Sequence, residues 1–226
     1  MRTRWSLLIK SIVFGALFFV FFFGLAIVTR AHLKEDGMYF SISGVENSIG
    51  GDFTGAKYYI YEESSLICNV PKIETDQGFG ITIGAYKGKL AGELSYLRSA
   101  HNTNYSGLSY DGEVELVNLD IKFYMLRVLK QSIKGYFLTG IGLPKITIDN
   151  AATDEGNKGD AIYRGFGLNL GLGTEIQILP NLGIDGSVVI RGMRINRIEA
   201  FGKEMAPKDN FYATGRSYQV KLNYYF

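Results

Sequence analysis

One cysteine, Cys68, in 226 residues excludes an internal disulfide framework and any multi-cysteine zinc site. The two histidines, His32 and His101, are far apart, so no His pair stands at metal-ligand spacing. Prolines number four, and neither Gly-Pro repeats nor leucine heptads occur, which excludes collagen and coiled coil. No sign of charge dominates: 24 − 22 = +2, so nothing points to nucleic acid as a partner. What is abundant is apolar and small. Hydrophobic residues make up 46 % and aromatics 14 %, which excludes a mainly disordered chain. Glycines number 28, about one in eight against a usual ~7 %. This length can bury one substantial core, so a single domain is expected.

The first thirty residues read as an address. Arg2, Arg4 and Lys10 precede an uncharged stretch from Ser11 to Val28, which contains the run Phe21-Phe22-Phe23. A basic segment, an apolar segment and a small-residue site describe a secretory signal peptide over residues 1–31, cleaved after Ala31 or alternatively after Ala26. A retained transmembrane helix is the rival reading, because the apolar stretch sits at the lower limit for spanning. Cys68 does not follow this segment directly, so a lipid-modified N-terminal cysteine is not indicated.

The remainder, residues 37–226, alternates with period two between Gly, Asn, Asp and Ser punctuation, and no segment holds a 3.6-residue apolar period over three turns. In the last strand Tyr218, Val220, Leu222, Tyr224 and Phe226 face one way, and Ser217, Gln219, Lys221, Asn223 and Tyr225 the other. Val117, Leu119, Ile121, Phe123 and Met125 likewise oppose Asn118, Asp120, Lys122 and Tyr124. The sixth strand sets Phe166, Leu168, Leu170, Leu172, Ile176 and Ile178 against glycines, Asn169, Glu175 and Gln177. In the seventh, Leu182, Ile184, Val188 and Ile190 oppose Asp185, Ser187 and Arg191. The fifth, Lys134 to Ile148, is ambiguous: Phe137, Ile141 and Leu143 compete with Leu138, Ile146 and Ile148. Eight strands result, each with an apolar face and a face of charges and small residues.

A soluble barrel turns the apolar face inward, whereas a transmembrane barrel turns it to lipid. Three features favour the second. Long connections near 47–76, 100–112, 149–160 and 200–211 alternate with short ones at Lys87-Gly88-Lys89, 127–133 and Leu179-Pro180-Asn181. Several strands reach the ~9–11 tilted residues needed to cross hydrocarbon. The chain ends on Tyr224-Tyr225-Phe226, aromatics suited to a membrane interface. The expected fold class is therefore all-β, an eight-stranded antiparallel up-and-down transmembrane β-barrel.

The pattern Tyr218-x-Val220-x-Leu222-x-Tyr224-x-Phe226 resembles the C-terminal signature of bacterial outer-membrane proteins, and Gly165 to Gly192 resembles a hairpin of the small OmpA/OmpX-like barrels. The resemblance covers the barrel region as a pattern, without a family-specific motif. It implies location in the bacterial outer membrane, contact with membrane lipid and lipopolysaccharide, and recognition of the terminal strand by the barrel-assembly machinery. No peptidoglycan-binding domain follows the barrel, a departure from full-length OmpA-type proteins.

With the apolar parity outward, Glu93, Asp120, Glu175 and Asp185 point into the lumen with Lys122, Arg191 and Lys221. Eight strands leave an interior just filled by side chains, so a connected ionic plug is expected rather than a pore. Gly165, Gly167, Gly171 and Gly173 are read as sites of strand bending and close packing, or else as room for Arg191 or Tyr124. Catalysis is not expected: only His101 approaches a rim, without an H-x-S pair, and it reads as a solvated loop histidine. Tyr58-Tyr59-Ile60-Tyr61 reads as an extension of the interface aromatics, with a recognition surface as the alternative. The acidic stretch Asp149, Asp154, Glu155 and Asp160 matches no EF-hand spacing, so no metal or other cofactor is expected. The functional expectation is a non-enzymatic outer-membrane barrel with a structural or surface-interaction role and an external ligand the residues do not identify. The alternative is a soluble periplasmic or secreted barrel binding a small apolar ligand.

Overall fold

The structure, a computed structural model, describes residues 36–54, 58–61, 64–69, 72–73, 76–105, 108–128, 132–152, 158–200, 203–205, 207 and 211–226. The signal segment 1–31 lies outside the described residues, as do the side chains of Tyr58 to Tyr61, Cys68, Asp154 and Glu155.

Twelve strands follow in order: β1 (Asp36–Gly51), β2 (Tyr58–Tyr61), β3 (Ser64–Asn69), β4 (Lys72–Ile73), β5 (Asp76–Lys87), β6 (Leu90–Tyr105), β7 (Leu108–Val128), β8 (Ile133–Ala152), β9 (Lys158–Leu179), β10 (Leu182–Ala200), β11 (Lys203–Met205) and β12 (Phe211–Tyr225). Eight form a closed antiparallel ring, β1-β5-β6-β7-β8-β9-β10-β12, in which each pairs with the next and β12 returns to β1. Of the other four, β4 pairs with β6, β11 with β10, and β2 with β3 as a separate hairpin. Closure leaves the barrel wall without a free edge.

The ring strands are longer than the sequence pattern indicates. Ranges 100–112, 149–160 and 200–211 are read above as long loops, yet β6 continues to Tyr105, β7 starts at Leu108, β8 reaches Ala152, β9 starts at Lys158 and β10 reaches Ala200. The cause is an inversion of polarity along each strand at unchanged side-chain parity. On β7, Val117, Leu119, Ile121, Phe123 and Met125 are exposed on the outer wall and Asn118, Asp120, Lys122 and Tyr124 are buried inside. Two residues further towards the chain start the contents exchange: Val114 and Leu116 are buried inside, while Glu113 and Glu115 lie on the outer wall. Leu97 in and Arg98 out on β6 do the same, as do Ile146 and Lys145 on β8, Tyr163 and Arg164 on β9, and Met193 and Arg194 on β10. A period-two reading that follows apolar residues along one parity ends at this line and mistakes the far half for loop.

The barrel therefore has two storeys. The one bearing the short turns and both described chain ends carries an apolar outer belt. Val117 to Met125 spans about nine residues, which at ~3.3 Å per residue and a tilt near ~40° is roughly 23 Å, close to the ~25 Å band of a transmembrane barrel. The far storey is built like a soluble barrel, with charges outside and an apolar core inside of Phe53, Leu97, Val114, Ile146, Tyr163, Met193, Ile195 and Phe211 among others. Phe53 holds it together by contacting Tyr163 edge-on at 5.1 Å between centroids and Phe211 at 5.1 Å.

The ambiguous strand resolves accordingly. Ile141 and Leu143 are exposed in the belt, Leu138 lies inside it, and Ile146 and Ile148 belong to the far core. Ile176 departs from its expected lipid-facing side: it is buried, beside a register shift between β9 and β10 where the chain turns at Pro180-Asn181. The glycines of β9 divide. A Cβ on Gly165, Gly167 or Gly171 would meet β10 backbone oxygens at 2.1, 2.7 and 2.8 Å, which is close strand packing. At Gly173 it would strike the Tyr136 ring at 2.3 Å, so this glycine makes room for Tyr136, not for Arg191 or Tyr124.

Candidate functional site: the charged barrel interior

All seven charged residues assigned to the lumen are buried to 5 % exposure or less. They come from five strands: Glu93 from β6, Asp120 and Lys122 from β7, Glu175 from β9, Asp185 and Arg191 from β10, and Lys221 from β12. Cross-strand register brings them together: Glu93 faces Asp120 across β6 and β7, and Asp185 lies between Glu175 on β9 and Lys221 on β12.

Lys122 is the hub. Its Nζ is 2.7 Å from Glu93 Oε1 and 2.6 Å from Asp185 Oδ2. Lys221 Nζ binds the other Glu93 oxygen at 2.9 Å. Tyrosines supply the remaining donors. Tyr39 donates to Glu93 at 2.6 Å, Tyr136 to Asp185 at 2.7 Å and Tyr124 to Glu175 at 2.8 Å. The Lys122 ammonium also lies 4.4 Å from the centroid of the Tyr136 ring. Glu175 also meets a cation outside the seven, Lys134, at 3.4 Å. Lys134 lies on the ambiguous fifth strand, and its parity with Tyr136 and Leu138 was the signal that could have placed it inside. With Lys134 the acids Glu93, Asp120, Glu175 and Asp185 face the bases Lys122, Lys134, Arg191 and Lys221, four of each sign among the described residues.

Asp120 and Arg191 are arranged differently. Asp120 accepts from Asn169 Nδ2 at 2.8 Å, and Asn169 stands beside Arg191 in the β9–β10 register. Arg191 donates to Ser217, which donates to Asn47, whose amide donates to Ser99 at 2.9 Å. Amides and hydroxyls thus surround each of these two charges, in two separate chains of hydrogen bonds. Below the ionic layer, towards the short turns, Tyr39, Tyr86 and Tyr225 pack ring on ring at 5.5–6.2 Å. Above it lies the apolar core of the far storey. The lumen is stacked as aromatic floor, ionic layer and apolar cap.

On the outer wall of the last strand, Tyr218, Leu222, Tyr224 and Phe226 are exposed in the belt, and Val220 is half-buried there. Tyr224 and Phe226 contact one another edge-on at 5.3 Å.

His101 corrects the sequence reading. It is 4 % exposed on β6, not solvated in a loop. Its Nε2 lies 2.9 Å from the Thr147 carbonyl and its Nδ1 3.4 Å from Thr103 Oγ1, and its ring covers Gly112, where a Cβ would come within 2.5 Å. Position 101 is three residues beyond Arg98, above the belt. Burial pushes its pKa below the ordinary value against the opposing pull of Asp111 and Glu113. The unfolded chain therefore takes up the proton first. The stability that neutral His101 contributes is present above about pH 6.5 and is lost as pH falls towards the folded value. Urea unfolding at pH 7.5 and pH 5 is expected to show a larger loss of midpoint for the wild type than for His101→Gln; equal losses would contradict this.

No protein-family model and no curated protein sequence matches the chain. Solved structures do. Neisserial surface protein A superposes with a TM-score of 0.52 at 14 % identity, over 84 % of this chain and 97 % of that one. The outer membrane protein OprG of Pseudomonas aeruginosa gives 0.55 at 13 % identity, over 86 % and 98 %. The chain thus has the fold of the small outer-membrane β-barrels.

Proposed function

We propose that this chain is an integral outer-membrane protein: a closed, non-enzymatic barrel that carries a tall superstructure on the cell surface and serves a structural or surface-interaction role there. The observation that supports it most is the polarity inversion at constant parity. One storey has Leu168, Leu170, Leu119, Ile190 and Leu222 on its outside around buried charges, and the other has charges outside around an apolar core. Only a wall passing from hydrocarbon into water favours both. A soluble carrier of an apolar ligand would leave that belt exposed to water, an area well beyond the few hundred Å² normal for a monomer.

In this reading residues 1–31 direct export, and the short turns and terminal strand lie on the periplasmic side. The outward Tyr218, Val220, Leu222, Tyr224 and Phe226 pattern engages the barrel-assembly machinery, and the belt contacts membrane lipid with lipopolysaccharide in the outer leaflet. The seven lumenal residues and Lys134 form a plug that closes the barrel. His101 and the hydroxyl beside it, Thr103, are buried at 4 % and 0 % exposure, so neither meets a substrate from solvent. Fractionation with surface proteolysis tests the reading. The chain should co-purify with outer membranes, migrate differently on gels when unheated, and be cut only beyond the far storey. Recovery in the soluble periplasmic fraction would refute it.

A further inference from the structure

His101 ties three strands together. It stands on β6 opposite Gly112 of β7, and its ring crosses that glycine to bring Nε2 within 2.9 Å of the Thr147 carbonyl on β8. On the same strand, Thr103 faces Tyr110 of β7. The Thr103 hydroxyl lies 3.1 Å from the Tyr110 carbonyl and 3.4 Å from His101 Nδ1. Both side chains are buried, close to where β6 ends at Tyr105 and β7 begins at Leu108.

The donors and acceptors here do not match while the ring is neutral. A carbonyl oxygen only accepts, so Nε2 carries the proton of the neutral ring and Nδ1 is left with a lone pair. Among the described residues the donor facing that lone pair is the Thr103 hydroxyl, which has one hydrogen. The Tyr110 carbonyl competes for the same hydrogen. A proton taken from solvent onto Nδ1 ends the competition. Nδ1–H then donates to a lone pair of the Thr103 oxygen, and the hydroxyl hydrogen turns to Tyr110.

The charges near the ring lie on the outer wall. Asp111 and Glu113, on either side of Gly112, pull towards the charged form from the far face of β7. Lys145 and Asp149 on β8 and Lys72 on β4 also turn outward, and Lys145 is held by Glu115. Inward, Ile73, Ile146 and Ile148 are apolar. Among the described residues no carboxylate touches the ring, so Thr103 is the group that answers a proton on Nδ1.

We propose that His101 and Thr103 form a proton-operated latch at the outer end of the β6–β7 hairpin. With His101 neutral, the Thr103 hydroxyl hydrogen is shared between the ring and the Tyr110 carbonyl. With His101 protonated, it ties Tyr110 alone. The hairpin end is thus bound more firmly in acid, opposite in sign to the global cost of burying the charge. The latch does not depend on the outer-membrane reading.

The test is a pH titration by NMR of the full chain folded in detergent or nanodiscs, with isotope-labelled histidine rings. Labelling tyrosine carbonyls and aspartate amides together isolates Tyr110, because Tyr110-Asp111 is the single Tyr-Asp pair in the sequence. His101→Gln assigns the ring signals. In wild type the Tyr110 carbonyl shift is expected to move with the His101 midpoint. Thr103→Val should lower that midpoint by about half a pH unit or more, because the charged ring loses its acceptor, and should leave the carbonyl unresponsive. Thr103→Ser should restore both. A midpoint that rises or stays unchanged in Thr103→Val overturns the proposal. So does a wild-type carbonyl that ignores the His101 titration, or a ring that stays neutral until the barrel unfolds. Should Thr103→Val fail to fold, the wild-type carbonyl decides alone.

Discussion

Lys122→Met is expected to destabilise the folded barrel by about 3–5 kcal/mol, the range for removing one partner of a buried ion pair. The methionine fills most of the same volume, so packing alone does not set the cost. What remains is Glu93 and Asp185, each 1 % exposed or less and each stripped of its contact at 2.6–2.7 Å. Lys221 still compensates Glu93. Asp185 keeps only the Tyr136 hydroxyl. Adding Asp185→Asn to Lys122→Met is therefore expected to recover part of the loss, because it removes the uncompensated charge while retaining an acceptor for Tyr136. Reversible urea unfolding in detergent or thin bilayers measures both. A Lys122→Met barrel within about 1 kcal/mol of wild type would mean that the lumen is hydrated and that its charges are not coupled.

The second large effect is on the other face of the same wall. Leu170→Arg is expected to cost about 2–4 kcal/mol, as for a cation at the lipid face near the midplane. Leu170 is 55 % exposed and lies between Ile190 and Thr139 on the flanking strands, at the middle of the belt. The same change at Asn102, exposed on β6 above the belt beside Asp111, is expected to fall within about 0.5 kcal/mol. The contrast between the two sites carries the argument, since both are outward positions on strands. Equal tolerance in bilayer-folded protein would show that the wall at Leu170 faces water.

The storey with the apolar belt was legible from period-two alternation, because on its outer wall the apolar residues keep one parity. Tyr218 to Phe226 and Val117 to Met125 could be oriented residue by residue, and the lumenal side of the charges followed. The far storey was not legible, for a definite reason. Val114, Leu116, Ile146, Ile148 and Ile195 are apolar on the opposite parity, so the pattern cancels where the polarity of the wall inverts. His101 was misplaced by the same error, since a range taken as loop gives every polar residue a solvated reading. Of the tyrosines that complete the ionic layer, Tyr124 was placed inward with Asp120 and Lys122, whereas Tyr39 and Tyr136 were hidden differently. A tyrosine fits either face of such a barrel, and only the partner across the lumen, up to 54 residues away for Tyr39 and Glu93, decides which.

The inversion along β7 is the central claim, and spin-label accessibility tests it directly. Nitroxides would be placed one at a time at the outward positions 113, 115, 117, 119, 121 and 123, in a Cys68→Ser background, with the protein folded in lipid bilayers. The account predicts that labels at 117, 119, 121 and 123 relax with oxygen dissolved in the hydrocarbon, and that those at 113 and 115 relax with a water-soluble nickel chelate. Labels at 117 to 121 that answer to the chelate, or one uniform response across all six, would contradict it.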